Sequence, residues 1–257
     1  MINNHNWNKI KEEFCQAIPY NHVVIDNFFD EDFAKSLALE FPEYNSEKWH
    51  YYHNPLEDKK TCNHWDSFPK CTYQAFSYLT DEFSHTMRFL LDDPNLRADQ
   101  GLHGGGWHVH SVGGKNNIHL DYNIHPKLNL QRKLNIIIYM TPDWKKEWNG
   151  GLEIWDHDYI LNKPNQCVKT IENRFNRAII FDTTQNSWHG LPIELKCPEG
   201  VMRRSLAVYY ITNPEKNAEP RKKALFAPYG NQENDPAILE LIKKRSDVEN
   251  ASGVYKL

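Results

Sequence analysis

Trp107-His108-Val109-His110-Ser111-Val112-Gly113-Gly114-Lys115-Asn116-Asn117-Ile118-His119-Leu120-Asp121 reads as two short strands separated by a turn. The strands are 107–112 and 117–121, and Gly113-Gly114 gives the turn signal between them. Residues i and i+2 of a strand project from one face, so His119 and Asp121 are expected to point the same way.

The same character continues downstream. Candidate strands lie at 134–140, 152–155, 177–181 and 203–212, with turn signals at Pro142-Asp143, Asn149-Gly150-Gly151 and Pro198-Glu199-Gly200. Upstream the pattern is different. Trp7, Ile10, Phe14 and Ala17 recur at a helical period, 22–26 is a candidate strand, and Asp30-Glu31-Asp32 opens a second helix that runs towards Pro42. The stretch 49–69 has no clear period and is read as an ordered loop, and a third helix is expected over 73–91. After Pro214 the chain is charged and ends in a helix over 236–245. The expectation is a single domain over 1–257 that is mainly β with supporting helices. It has a largely helical support at 1–100, a jelly-roll-like core at 101–213 and a C-terminal extension at 214–257.

Composition sets the outer bounds. A chain of 257 residues, 40% hydrophobic and 13% aromatic, can bury a substantial core. Its formal charge of −4 gives no argument for nucleic acid or an anionic membrane, since both favour a basic face. No apolar run approaches membrane-spanning length, and the polar start Met1-Ile2-Asn3-Asn4-His5 lacks a signal pattern. Cys15, Cys62, Cys71, Cys167 and Cys197 are odd in number and contain no Cys-x-x-Cys pair. Unpaired thiols in a reducing cytoplasm are the expectation.

A His and a carboxylate two residues apart, joined by a distant His189, form a 2-His-1-carboxylate set. That set suits Fe(II) with open coordination positions. With 13 His in the chain, His-x-Asp alone arises readily by chance, so the context decides. Further on, Arg203-Arg204-Ser205 opens an apolar strand. On that strand Arg203, Ser205, Ala207 and Tyr209 share one face, and Arg203 with the Ser205 hydroxyl is placed to hold a carboxylate. Tyr139, near the end of its strand, is a candidate to reach the same group.

These residues together resemble the 2-oxoglutarate and Fe(II)-dependent oxygenase superfamily, and within it the prolyl-4-hydroxylase-like group. The resemblance rests on His119-x-Asp121, on 132–140 leading to Asp143-Trp144, and on Gly150-Gly151-Leu152-Glu153-Ile154. It continues through Ile179-Ile180-Phe181-Asp182, Trp188-His189-Gly190 and Arg203-x-Ser205. It implies a double-stranded β-helix, with His119, Asp121 and His189 on iron, Arg203 on the far carboxylate of 2-oxoglutarate, and Tyr139 assisting. It implies hydroxylation of an unactivated C–H bond by O₂, coupled to release of succinate and CO₂, with ascorbate as support. Two departures stand out. The His189-to-Arg203 gap is longer than usual, which leaves Arg203 and Arg204 both open. Also, His108 and His110 occur where relatives often carry a Tyr.

Two rival readings remain. His108-Val109-His110 resembles a cupin His-x-His but lacks the following carboxylate. A catalytically inactive jelly roll that binds a ligand or partner is the other, with Trp49, Tyr51, Tyr52 and Trp65 as apolar anchors. Trp107, Trp144 and Trp155 are read either as pocket lining or as packing. The prime substrate, a peptide or a small molecule, is not readable from the sequence.

Overall fold

A computed structural model describes residues 1–247. The chain opens with α1 (Trp7–Gln16), β1 (His22–Ile25) and α2 (Glu31–Leu39). A hairpin follows, β2 (His50–Asn54) and β3 (Glu57–Cys62), then α3 (Lys70–Thr80), α4 (Ser84–Leu91) and the short β4 (Arg97–Ala98). The strand-rich part holds β5 (Gly106–His110), β6 (Lys115–Leu120), β7 (Gln131–Tyr139), β8 (Leu152–Asp158) and β9 (Lys163–Ile171). It continues with β10 (Ala178–Asp182), β11 (His189–Leu191) and β12 (Arg203–Thr212). Last come β13 (Leu225–Phe226) and α5 (Pro236–Ser246). The final part of the expected C-terminal extension, 248–257, lies outside the described residues.

The strands pair in the order β1-β10-β7-β12-β5-β3-β6-β11-β8-β9, and each pairing is antiparallel. The two ends of this order face one another. Tyr139, Ile179 and Phe181 from β7 and β10 share a buried cluster with Leu152, Ile154 and Ile171 from the β8–β9 side. The sheet is thus folded into two layers with an interior between them, as a jelly-roll double-stranded β-helix requires. β3 makes the crossing, because Lys60–Cys62 pair with β5 while Glu57 and Asp58 pair with β6.

Strand parity then sets the two faces. Leu206, Val208 and Tyr210 of β12, Leu134, Ile136 and Ile138 of β7, and Trp107 and Val109 of β5 pack outward against Phe14, Leu37, Phe76 and Met87 of the helices. Each fully buried side chain of this kind contributes about 1.5–3 kcal/mol. Tyr210 also donates its hydroxyl to the Leu79 carbonyl of α3 at 2.7 Å. The alternate residues, Arg203, Ser205, Ala207 and Tyr209 with His108 and His110, are left to the interior.

Local chemistry explains the helix starts. Asn6 accepts from the Lys9 amide and Asp30 from the Phe33 amide, and Glu31 and Asp32 sit in the first turn of α2, where the helix dipole favours acids. Asp235 caps α5, with Pro236 in its first turn.

Two expectations need correction, and one long strand is additional to the sequence reading. The stretch 49–69 is not a loop, since it contains the β2–β3 hairpin and a 3₁₀ turn at Trp65–Ser67. Asn54 builds the hairpin turn by accepting from the Leu56 and Glu57 amides. β2 is largely exposed, so no apolar alternation marks it. The helix expected over 73–91 is two helices. Thr80 turns its hydroxyl back onto the Phe76 carbonyl, and Asp81 leaves helical geometry. Finally, β9 has no counterpart in the sequence reading, because most of its residues are exposed.

Candidate metal and co-substrate site

β6 and β11 bring two histidines face to face. His189 and His119 are register partners, and their rings lie 4.4 Å apart. Gly190 permits this approach, since a Cβ there would sit 2.7 Å from the Asn117 carbonyl oxygen. Asp121 follows one residue past the end of β6. Its Oδ1 lies 3.7 Å from His119 Nε2, and its Oδ2 lies 3.8 Å from His189 Nε2. The three candidate ligand atoms all lie within 4.8 Å of one another.

The ring orientations are fixed from behind. His119 Nδ1 is 2.8 Å from the Asn117 carbonyl, and His189 Nδ1 is 2.8 Å from the Ser187 carbonyl. A carbonyl only accepts, so each Nδ1 carries the proton and each Nε2 presents a lone pair to the interior. Burial, followed by the charge of His189, lowers the His119 pKa to about 3, so its ring is neutral near pH 7. Burial pushes the Asp121 carboxyl up, but His189, Arg132 and His119 outweigh it and the net shift is downward. Asp121 Oδ2 is buried without a hydrogen-bond partner. Two imidazoles held with Nε2 turned inward, and an ionised carboxylate whose Oδ2 has no hydrogen-bond partner, fit a divalent cation. Phe226 stacks on His119 at 5.1 Å and Phe181 packs on His189 at 4.7 Å, which keeps both rings in place.

A second group of polar residues lines the same interior. Ser205 pairs with His108 on one side and with Tyr139 on the other, while Arg203 pairs with His110. Arg203 is buried, donates Nε to the Gly150 carbonyl at 2.8 Å, and lies beside the Tyr139 ring at 4.8 Å. Gly150 has φ +88°, and a Cβ there would crowd Arg203 Cδ at 3.3 Å. The Tyr139 hydroxyl is buried with no hydrogen-bond partner. Arg204 takes the opposite face, where its Nη1 donates to the Ala38 carbonyl at 3.3 Å near Phe41. Strand parity thus separates the two arginines that spacing left open.

Residues 105–211 match the model of the 2OG-Fe(II) oxygenase superfamily. This segment belongs to the 2-oxoglutarate/Fe(II) oxygenase superfamily. The oxygenase segment lies within a chain that is 28% identical over 93 residues to a mouse protein named prolyl 3-hydroxylase OGFOD1. That match covers 35% of this chain and only 16% of the mouse protein's length. A Pseudomonas putida prolyl-4-hydroxylase structure overlays with a TM-score of 0.57 at 12% identity, covering 82% of this chain and 100% of that one. A Trichoplax adhaerens prolyl hydroxylase, solved with a hypoxia-inducible-factor peptide fragment, gives 0.52 at 17% identity, with 80% and 89% covered. HygX of Streptomyces hygroscopicus, solved with nickel and 2-oxoglutarate, gives 0.51 at 13% identity, with 78% and 86% covered. These structures share the jelly-roll fold. The family is one of dioxygenases that use Fe(II), 2-oxoglutarate and O₂.

The cupin alternative finds no support, because among the described residues the one three-ligand group is His119, Asp121 and His189. His125 serves a turn, its Nδ1 accepting from the Lys127 and Leu128 amides. Trp107 is core, packed on Phe41, Trp49 and Phe68. Trp65 likewise packs on Phe68, Tyr73 and Phe76. Trp144 packs with Trp148 and lines a surface cavity of about 540 Å³ behind Gly150, whose lining does not include the two histidines or Asp121. Trp155 donates to Glu153 and packs near Tyr229.

Sequence reasoning missed Arg132. It is fully buried, its guanidinium carbon lies 3.2 Å from the Tyr122 ring centroid and 3.4 Å from that of Tyr209, and it donates to the His103 carbonyl. Its place at the head of β7 was visible, but an Arg opening a strand reads equally as a solvated edge.

Proposed function

We propose that the chain is an Fe(II)- and 2-oxoglutarate-dependent hydroxylase in which His119, Asp121 and His189 hold the iron and Arg203, Tyr139 and Ser205 hold 2-oxoglutarate. The carrying observation is the convergence on one buried point of the unpaired Asp121 Oδ2 and two Nε2 atoms, each ring fixed through Nδ1 to a backbone carbonyl. Bound there, Fe(II) would supply the redox chemistry that couples 2-oxoglutarate decarboxylation to C–H oxidation.

The chain's own residues do the positioning. Arg203 has Nε committed to Gly150, so its two Nη groups are the donors for the distal carboxylate. Tyr139 brings a buried hydroxyl with no other partner, and Ser205 stands beside it in register. The apolar side chains Ile154, Ile179 and Phe181 line the same interior and keep water from the reacting centre. An aspartate as the third ligand, rather than a small residue, favours hydroxylation over halogenation.

A prolyl peptide is the first substrate to try, on the likeness to proteins named as prolyl hydroxylases. Five unpaired cysteines support a reducing cytoplasmic home, and ascorbate is the expected reductant for sustained turnover. Among the described residues no helix is long and apolar enough to cross a membrane. The test is succinate formation by anaerobically purified protein given Fe(II), 2-oxoglutarate and ascorbate and then O₂, with Asp121→Ala as control. Succinate from wild type alone supports the reading; neither succinate nor 2-oxoglutarate binding would sink it.

A further inference from the structure

β5 places a second imidazole beside the guanidinium. His110 is 4% exposed, pairs in register with Arg203, and has no hydrogen-bond partner on either Nδ1 or Nε2. Trp107 and Val109 of the same strand pack into the outer core, so alternation turns His110 inward. Leaving a buried donor unpaired costs about 1–3 kcal/mol, so such a group implies a partner that arrives with a ligand. A neutral imidazole carries one N–H and one lone pair. Next to the Arg203 guanidinium, a partner that accepts from both side chains is favoured when it carries negative charge.

We propose that His110 donates a hydrogen bond to the distal carboxylate of 2-oxoglutarate, as a third contact beside Arg203 and Tyr139. The inference rests on the functional reading above and adds a residue to it. Three strands then share the carboxylate: β5 through His110, β12 through Arg203, and β7 through Tyr139. His108 lies two residues earlier on the same face, in register with Ser205. The row His108–Ser205–Tyr139 borders the subsite, while His110 and Arg203 form its floor.

The test is anaerobic calorimetry on the Fe(II)-loaded protein, where no turnover occurs. Two ligands are compared: 2-oxoglutarate, and 2-oxopentanoate, which has the same carbon chain without the distal carboxylate. His110→Phe is expected to weaken 2-oxoglutarate about 10- to 100-fold, the loss of one hydrogen bond to a charged group. It should leave 2-oxopentanoate and iron affinity unchanged. His110→Gln keeps an N–H donor and should recover part of the loss. Equal losses for both ligands, or no loss at all, would overturn the assignment. Should wild type itself not bind 2-oxoglutarate, the functional reading fails first. If wild type binds and His110→Phe binds as tightly, only the His110 contact fails.

Discussion

Arg132 Nη1 stands 3.9 Å from Asp121 Oδ1, with the guanidinium clasped between the rings of Tyr122 and Tyr209. The cation helps hold the Asp121 carboxyl ionised, alongside His189 and His119. It acts on the site through Asp121, as a positioning residue. Arg132→Met is expected to weaken metal binding about 10-fold, the lower range for groups that support a ligand from behind. Arg132→Lys should rescue little, because only a planar guanidinium stacks between two rings. Competitive chelator titration reads both variants. Unchanged metal affinity in Arg132→Met would show that the guanidinium only packs.

Removing a proposed ligand should act more sharply. Asp121→Ala and His189→Ala should each abolish Fe(II)-dependent succinate formation. Both should also fail to retain metal after gel filtration in a weak chelator. Full turnover by Asp121→Ala would refute the ligand assignment.

The two neighbouring arginines should separate cleanly. Arg203→Ala is expected to raise the 2-oxoglutarate requirement at least about 10-fold, as loss of charge-assisted bonds predicts. Arg204→Ala removes a contact to the Ala38 carbonyl on the helix side, so it should lower thermal stability and leave the 2-oxoglutarate requirement alone. The reverse pattern in steady-state kinetics would mean that the inward face of β12 is misassigned.

Asp26 gives a pH prediction away from the site. Arg177 meets its carboxylate at 2.6 Å and 3.0 Å, and Arg174 at 3.3 Å. Hydrogen bonding from Arg177 is the main cause that holds the Asp26 pKa below its ordinary value. A depressed folded pKa stabilises the fold above the unfolded value, about 3.9, and the contribution disappears as pH falls through the lower folded pKa. The pair is partly exposed, so the effect is modest. Asp26→Asn should have a lower Tm than wild type at pH 7. The gap should close as pH falls below about 4. A gap that persists unchanged into acid would remove the ion pair as its cause.

What could be read from residues alone follows burial on one face. β12 is a largely apolar run buried along nearly its whole length, and its reading matches the strand residue for residue, Arg203–Thr212. His119, Asp121 and His189 stand out as a candidate set from spacing alone, and the fold brings their ligand atoms within 4.8 Å of one another. β9 and the β2–β3 hairpin carry polar, exposed side chains, and their order comes from pairing with strands far away in sequence. Arg132 escaped for a related reason. The two rings that clasp it, Tyr122 and Tyr209, come from separate parts of the chain, and only the folded sheet brings them together.

β13 is only two residues long, yet Leu225 and Phe226 pair with Leu120 and His119, and the Phe226 ring covers one side of the His119 imidazole. Behind it, Arg245 of α5 reaches Glu57 at 3.0 Å, and Glu57 also holds Lys59 at 3.1 Å. The polypeptide is made from its N-terminus, so every strand of the two layers is synthesised before this flank exists. A chain still growing can assemble its sandwich while one side of the first histidine stays bare. The order of translation therefore brings the Phe226 flank to His119 only after those strands are made, and a copy interrupted near residue 220 would lack that wall.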